Sequence, residues 1–505
     1  MNVLHILSDQ HQAACMGHAG HPQAITPHLD RLASQGVSFS SAYTQNPICT
    51  PSRVSMLSGQ YCHNHGYYGL GGPRPERLPN YLGHFRRHGY RTAGIGKLHL
   101  PDQPHNWVVD DVDLLAECYE SASNNKSGAN SYRSPYFEYL EALGLREQED
   151  SIRLPEFPGK QQHEARPSLL PYKHSVEGWC VQTARRFISD SGDQPWCVQV
   201  SLPRPHQCYT PDQEFWDRYP EDLDLPVGLH QDAAHRPPHF QKMVERYRNG
   251  HGLLKPDDFE SWARRVWRGY LACVTQVDHA VGELMDFLET HGLTENTIVV
   301  YGSDHGAYSG TFGVPEKAPG ICSEKVCRVP MVWRVPGISP SEHRCDLLAE
   351  NIDFAPTFTT LCGLPPMETS DGCDLSALLR GENNPVREVA VTENVWSKSL
   401  RYKNWRYVHY QPETFGGKEA GELYDLEADP GETRNLYFEA DYAPVLHQCR
   451  RLLLEWLIRT TRATTIWPAT GSKEQPLAYA TADDGKESNA HGAVLRARNR
   501  QLNYL

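Results

Sequence analysis

Four short apolar runs, far apart in the chain, end in the same way, and this constrains the fold more than any other feature. "VLHILSDQ" ends at Asp9 and Gln10, "YRTAGIGKLHL" at Lys97 and His99, "WCVQVSLPRPH" at His206, and "TIVVYGSDHG" at Asp304 and His305. Each run is short and β-branched, the pattern of a buried strand. Helical patterns alternate with the runs. One covers Pro27 to Gln35. A longer one covers Phe259 to Thr290, with Trp262, Val266, Tyr270, Val274, Val277, Val281, Leu284 and Leu288 on one side. The alternation predicts an α/β fold, a mostly parallel sheet sandwiched by helices. Sites in such sheets form outside the carboxyl ends of the strands, so the polar endings are expected to converge on one edge.

The chain of 505 residues, with 39% hydrophobic content, is long enough for a large core. A formal net charge of −13 argues against nucleic acid or an anionic membrane as the main partner. No run approaches the roughly 18 apolar residues of a membrane span. The start "MNVLHILSDQ" has no basic segment ahead of its apolar run, and Asp9 cuts that run short, so a cytoplasmic protein is expected. The 14 cysteines show no repeating spacing and read as reduced thiols.

Texture changes near residue 385. We expect a catalytic α/β domain over 1–384 and a smaller C-terminal α+β domain over 385–505, built from short strands ("EVAVTENV", "LRYKNW", "RYVHY") and a helix near Tyr442–Arg459. Residues 110–174 and 203–255 are polar and irregular and read as insertions over the sheet edge, where substrate-reading loops are usual.

The stretch "NPICTPSRVSMLSGQYCHNHG" carries the most local chemistry. Thr50 suits an N-cap, Pro51 the first turn of a helix, and Gly59 its stop. Cys49 then lies just outside a helix N-terminus, where free amides and the dipole favour negative charge. Arg53, one turn in, adds a forked donor for an oxyanion. The same residues also fit a small buried thiol ahead of an ordinary helix. Asp9 and Asp304 are hard oxygen ligands at two strand ends, and Gln10 offers an amide oxygen. Together they suit Ca²⁺ or Mg²⁺, while His305 leaves room for Mn²⁺ or Zn²⁺. Each acid alone also fits a turn carboxylate.

"CTPSR" resembles the type I sulfatase signature Cys-x-Pro-Ser-Arg. "TPHLDRLASQGVSF", "GKLHL", "SDHG" and "ELYDLEADPGETRNL" resemble further motifs of that family, in the family's order, over residues 1 to 436. The resemblance implies an alkaline-phosphatase-like α/β core with a small C-terminal domain. It implies that Cys49 is oxidised to formylglycine by a maturase and hydrated to a geminal diol. Asp9, Gln10, residue 49, Asp304 and His305 would then hold a divalent cation, Ca²⁺ first and Mg²⁺ second. The family often has Asp-Asp where this chain has Asp9-Gln10. Arg53 would orient the diol and Lys97 bind a sulfate oxygen. His99 would be the base that breaks down the covalent intermediate, and His206 would protonate the leaving alcohol. Lys317 is the candidate for the family's distal lysine, with Lys325 as the alternative.

The implied substrate is a small anionic sulfate ester, most simply a sulfated sugar of glycosaminoglycan type cut exolytically. The insertions hold cations suited to a uronate or a second sulfate: Arg133, Arg153, Lys160, His163, Arg166, Lys173, His174, Arg204, His230 and His235. Taken over 102–175 and 203–255, they also hold Trp107, Tyr132, Tyr136 and Trp216, which suit stacking on sugar rings. Rival readings are a phosphodiester or phosphonate monoester hydrolase on the same scaffold, an aryl or choline sulfatase, and a non-catalytic zinc protein using Cys49, Cys62, His63 and His65. The last lacks the paired spacing of structural zinc sites.

Overall fold

The first apolar run forms the strand β1 (Asn2–Asp9), and all eight of its residues are buried. A strand without inside–outside alternation belongs to a parallel sheet covered on both faces. In the computed structural model β1 lies at the centre of an eight-stranded sheet. The strands are β2 (Val37–Phe39), β3 (Ala42–Tyr43), β4 (Arg91–Gly96), β5 (Leu114–Glu117), β6 (Trp196–Pro205), β7 (Thr297–Ser303), β8 (Met331–Arg334), β9 (His343–Cys345) and β10 (Ala349–Glu350), followed by β11 (Ala390–Glu393), β12 (Ser397–Tyr402), β13 (Trp405–Tyr410) and β14 (Gly421–Asp425). The large sheet runs β5-β4-β6-β1-β7-β8-β2-β9, and β3 pairs with β10 apart from it. From β5 to β7 every neighbouring pair is parallel; β8 is antiparallel to both β7 and β2. The structure describes residues 1–70, 72, 75, 78–101, 107–118, 134–150, 165–249, 259–317 and 321–462.

Side-chain alternation along β1 assigns the two helix layers. Leu4 and Ile6 pack in one core with Val277, Val281, Leu284 and Leu288 of the helix Phe259–Thr290, and with Leu29 and Leu32 of the helix Pro27–Ser34. Val3 and Leu7 pack on the other face with Val54 and Leu57 of the helix Cys49–Ser58, and with Phe354 and Phe358 of the helix Phe354–Leu361. All eight positions that the sequence placed on one side of the long helix are buried.

Several short strands escaped the sequence reading, β5 and β8 among them. β5 forms the sheet edge inside the stretch read as irregular, and only four residues long it leaves a weak periodic signal. β8, "MVWR", is equally short.

Residues 1–452 form one compact unit that takes in the antiparallel sheet β11-β12-β13-β14. That sheet is tied in by Glu393 N–H to the Gln45 carbonyl at 2.7 Å and Val391 N–H to Glu350 Oε1 at 2.7 Å. The helix Ala443–Thr460 leads into a second unit, Leu453–Leu505, which is described to residue 462. Among the described residues no helix is long and apolar enough to cross a membrane.

Candidate active site

Four neighbouring strands, in the order β4-β6-β1-β7, end on the same edge. Lys97 follows β4, His206 follows β6, Asp9 closes β1, and Asp304 with His305 follows β7. Parallel pairing thus brings together residues up to about three hundred positions apart, and it does so because each apolar run stops where the polar residue begins.

Cys49 reaches this edge on the helix Cys49–Ser58, all ten residues of which are buried. The helix begins two residues earlier than the sequence suggested, so that Cys49 is its first residue rather than lying just outside it. Ile48 is the extended residue before it and accepts the Ser52 N–H at 3.2 Å. Thr50 does not cap; its hydroxyl donates instead to the His99 carbonyl at 2.9 Å. Pro51 still lies in the first turn, where a missing N–H costs nothing, and Gly59 closes the helix at φ 69° as expected.

Arg53, one turn in, binds the two acids rather than solvent. Its Nε donates to Asp304 Oδ2 at 2.8 Å and its Nη2 to Asp9 Oδ2 at 3.0 Å. Nη1 donates to Ser201 Oγ at 2.8 Å and also to the Lys97 carbonyl. A lysine has no such fork. Lys97 Nζ lies 2.6 Å from Asp9 Oδ2. The Cys49 Sγ is 3.2 Å from His305 Nε2 and 3.9 Å from Asp9 Oδ1. Asp304 Oδ1 is held by the N–H groups of Gln10 at 3.1 Å and His305 at 2.9 Å.

Ligand atoms of Asp9, Cys49, Asp304 and His305 all lie within 4.8 Å of one another, and all four residues are buried. Ligands sharing one hard cation at about 2.3–2.6 Å stand at such mutual separations. His305 Nδ1 lies 2.9 Å from the Gly306 carbonyl, so its N–H points there and Nε2 is left for a ligand role. The donor set therefore fits a divalent cation. The Gln10 side chain carries hydrogen bonds to two other residues. Its Oε1 accepts from Lys317 Nζ at 3.1 Å and its Nε2 donates to Gln207 Oε1 at 3.0 Å.

Lys317, not Lys325, reaches the site. Its Nζ is 3.2 Å from His206 Nε2, whereas Lys325 lies on the short helix Glu324–Cys327 and its field falls on Cys15 and His21. An ammonium only donates, so His206 Nε2 accepts; the N–H then sits on Nδ1 and donates to the Gln207 carbonyl at 2.7 Å. Burial first, then Lys97 and Lys317, hold His206 well below the usual imidazole range and keep it neutral. Burial and the Asp9 carboxylate push the Cys49 thiol up, but Lys317, Lys97 and His305 outweigh them and hold it well below the ordinary value. Burial lowers the His99 imidazole, against the opposing pull of Cys49.

Several working residues lay beyond the sequence reading. Glu117, at the end of β5, accepts the N–H of Leu98 at 3.1 Å and of His99 at 3.3 Å, holding His99 at φ 49°. Its signal was the same strand-end pattern, in "LLAE". Gln207 and Glu316 had no signal.

The expected sugar platform is corrected in part. Trp107, Tyr136 and Trp216 are core residues, too buried to stack on a ligand. Arg204 is buried against Glu177. His174 bonds Tyr139 at 2.7 Å, and the exposed His230 pairs with Glu260. Arg166, Lys173 and His235 lie within the described insertions, while Tyr132, Arg133, Arg153, Lys160 and His163 fall outside the described residues. The zinc reading also fails: His63 turns to Glu393 at 3.0 Å, His65 to Ser55 at 2.8 Å and Cys62 to the Gln45 carbonyl. The metal-type group among the described residues contains Cys49 but none of those three.

Residues 1–364 match the family model of the sulfatases, and residues 320–458 match the model "N-sulphoglucosamine sulphohydrolase, C-terminal". The choline-sulfatase of Rhizobium meliloti is 29% identical over 86% of this chain and 82% of its own. The N-acetylglucosamine-6-O-sulfatase of Bacteroides thetaiotaomicron is 24% identical over 90% of this chain and 86% of its own. The phosphonate monoester hydrolase of Agrobacterium radiobacter superposes with a TM-score of 0.75 at 22% identity, covering 91% of this chain and 96% of that one. That last likeness is one of fold.

Proposed function

The chain belongs to the sulfatase family and is a sulfuric ester hydrolase, and from that premise we propose that it removes an O-sulfate from the non-reducing end of a short sulfated sugar of glycosaminoglycan type. The observation that carries the chemistry is a local excess of fixed cations. Arg53, Lys97 and Lys317 face two carboxylates, Asp9 and Asp304, around Cys49. Charge on sulfuryl oxygens grows in the transition state, and cations already in place stabilise it without reorganisation.

Cys49, oxidised to formylglycine by a maturase that reads "CTPSR", would supply as its hydrate a hydroxyl nucleophile with a second hydroxyl for regeneration. A divalent cation, Ca²⁺ before Mg²⁺, held by Asp9, residue 49, Asp304 and His305, would supply Lewis acidity. The remaining work falls to side chains. Arg53 keeps Asp9 and Asp304 at their spacing. Lys97 and Lys317 take sulfuryl oxygens. His99 accepts the proton whose removal releases sulfate, and His206, receiving a proton at Nε2 from the Lys317 ammonium, passes it to the leaving alkoxide.

Support for a sugar comes from the C-terminal match to the N-sulphoglucosamine sulphohydrolase model and from the N-acetylglucosamine-6-O-sulfatase relative. A second reading, choline sulfate, is favoured by the 29% identity to the choline-sulfatase. The two separate in one screen of maturase-co-expressed enzyme against size-defined sulfated oligosaccharides, choline sulfate, aryl sulfates and phosphodiesters, with products mapped by mass spectrometry. The expected result is fastest release from the non-reducing end of short oligosaccharides. Faster cutting inside long polymers would overturn the exolytic claim, and preference for choline sulfate would replace the sugar.

A further inference from the structure

Lys317 and His206 are the end of a longer chain of hydrogen bonds that runs away from the reacting centre. Lys317 Nζ donates to Gln10 Oε1 at 3.1 Å. Gln10 Nε2 donates to Gln207 Oε1 at 3.0 Å, and Gln207 Nε2 donates to Glu316 Oε2 at 2.7 Å. Tyr247 closes the far end, its hydroxyl donating to Glu316 Oε1 at 2.5 Å.

The polarity of this chain is fixed by its ends. A primary amide can be flipped, and its two faces are otherwise interchangeable. Here one end is an ammonium, which only donates, and the other a carboxylate bonded to a tyrosine, which accepts. Facing Glu316, Gln207 must present its NH₂; its oxygen then faces Gln10, whose NH₂ turns to Gln207 and whose oxygen is left for Lys317. Reversing either amide would break two bonds: a reversed Gln10 would set its NH₂ against the Lys317 ammonium, and a reversed Gln207 would set its oxygen against the Glu316 carboxylate. Gln207 enters twice, because its backbone carbonyl also accepts the His206 Nδ1–H at 2.7 Å. The same residue therefore orients both the imidazole and, through Gln10, the lysine that donates to it.

We propose that Gln207 and Glu316 are positioning residues for the leaving-group side of the reaction, acting through Gln10 to hold Lys317 against His206 Nε2. The charged ends lock the amide chain, and the amide chain locks the acid pair. The inference rests on the proposed role of that pair and adds residues that touch neither substrate nor cation.

The test compares Glu316→Ala and Gln207→Leu with Glu316→Gln, which keeps an acceptor toward Gln207. Each is purified after co-expression with a maturase, and its bound metal and thermal midpoint are measured. kcat/KM is then taken on two sulfate esters, 4-nitrophenyl sulfate, whose phenolate leaves unaided, and a sugar or alkyl sulfate, whose alkoxide needs a proton. Loss of a general acid costs about 10²–10⁴-fold, so mispositioning it should cost about tenfold to a hundredfold on the alkyl ester and under about threefold on the aryl ester. Glu316→Gln should recover most of the loss. Equal losses on both esters, or none on either, would overturn the proposal. A readout independent of turnover is the ¹⁵N signal of the His206 ring, assigned by its disappearance in His206→Asn. It should show the Nδ1–H tautomer in the parent and shift in Glu316→Ala; an unmoved signal would overturn the positioning claim even if the parent cut neither ester, a result that would itself count only against the functional reading.

Discussion

Two buried ionic clusters in this molecule use the same residue types and differ in charge balance. At the joint with the C-terminal sheet, Arg236 and Arg406 face Glu422 and Glu432, two cations against two carboxylates. Arg236 reaches Glu422 at 2.9 Å and Glu432 at 3.3 Å, and Arg406 binds Glu432. Tyr410 and Tyr424 donate to the remaining lone pairs of Glu422 at 2.6 and 2.7 Å. At the strand ends, with residue 49 as an uncharged hydrate, Arg53, Lys97 and Lys317 would face Asp9 and Asp304, Glu316 being taken up by Gln207 and Tyr247. A balanced cluster holds elements together; a cluster left with surplus positive charge and an open set of ligand atoms is built to receive an anion. Burial and pairing alone do not tell structure from function, whereas the uncancelled charge does.

The largest expected effect breaks the unbalanced cluster. Arg53→Ala leaves Asp9 and Asp304 facing each other without their fork, and kcat/KM should fall by at least about 10³-fold. Arg53→Lys restores the charge but not the bidentate geometry and should recover little of it. Both are read per folded molecule, with bound metal measured alongside. An Arg53→Ala enzyme within tenfold of the parent would remove the distinction between the clusters.

The balanced cluster should fail in the opposite way. Arg406→Met strands Glu432 and part of Glu422 in the interior, a change expected to cost about 3–5 kcal/mol. Thermal unfolding should register it, while kcat of the surviving folded enzyme stays near the parent. A large fall in kcat at unchanged stability would show that this cluster, too, serves the reaction.

How much of this was visible in the sequence follows from the range of each signal. Asp9, Lys97, His206, Asp304 and His305 were legible because a buried strand must be apolar and a sudden polar ending stands out. Their convergence was legible as a rule of parallel sheets, although the order β4-β6-β1-β7 was not, since pairing depends on long-range contacts. Gln207 and Glu316 were invisible because a hydrogen-bonded loop residue leaves no periodic mark. The aromatic residues Trp107, Tyr136 and Trp216 misled for the complementary reason: a polar stretch around an aromatic residue does not reveal which way its ring turns, and here each turns to the core. Thr50 suited a cap by type, yet its hydroxyl is taken by the His99 carbonyl, a partner 49 positions away.

Proton linkage sharpens the comparison at a paired acid outside both clusters. Glu393 is buried against Lys398 and His63. Burial raises its carboxyl, but Lys398 and then His63 more than offset this and bring it from an ordinary 4.5 to about 2. A depressed folded value means that its stabilisation is complete above about pH 4.5 and is lost as pH falls toward 2. Glu393→Gln should flatten that part of the acid limb of a stability–pH curve by roughly 2–3 kcal/mol. An unchanged limb would mean that the pair is already screened.

The smallest effect is expected where a buried carboxylate forms no ion pair among the described residues. Asp278, on the helix Phe259–Thr290, accepts the N–H groups of His28 at 3.0 Å and Leu29 at 2.7 Å, capping the helix Pro27–Ser34 from outside it. Burial outweighs these two bonds and pushes its carboxyl up from 3.8 to about 7. The sign is therefore opposite to that of Glu393. Folding favours the protonated acid, so this contribution is present below about pH 4 and is lost as pH rises through 7. Asp278→Asn keeps an oxygen for both N–H groups and removes the ionisation, so the variant should gain on the parent as pH rises from 5 to 8. Its NH₂ group is a new buried donor, and leaving it unmet costs about 1–3 kcal/mol. The net gain at pH 8 should therefore be small, about 1 kcal/mol, and the slope of the difference between the two curves is the sharper readout. Parallel curves across that range would show that the two helix amides alone are enough to keep Asp278 ionised in the folded chain.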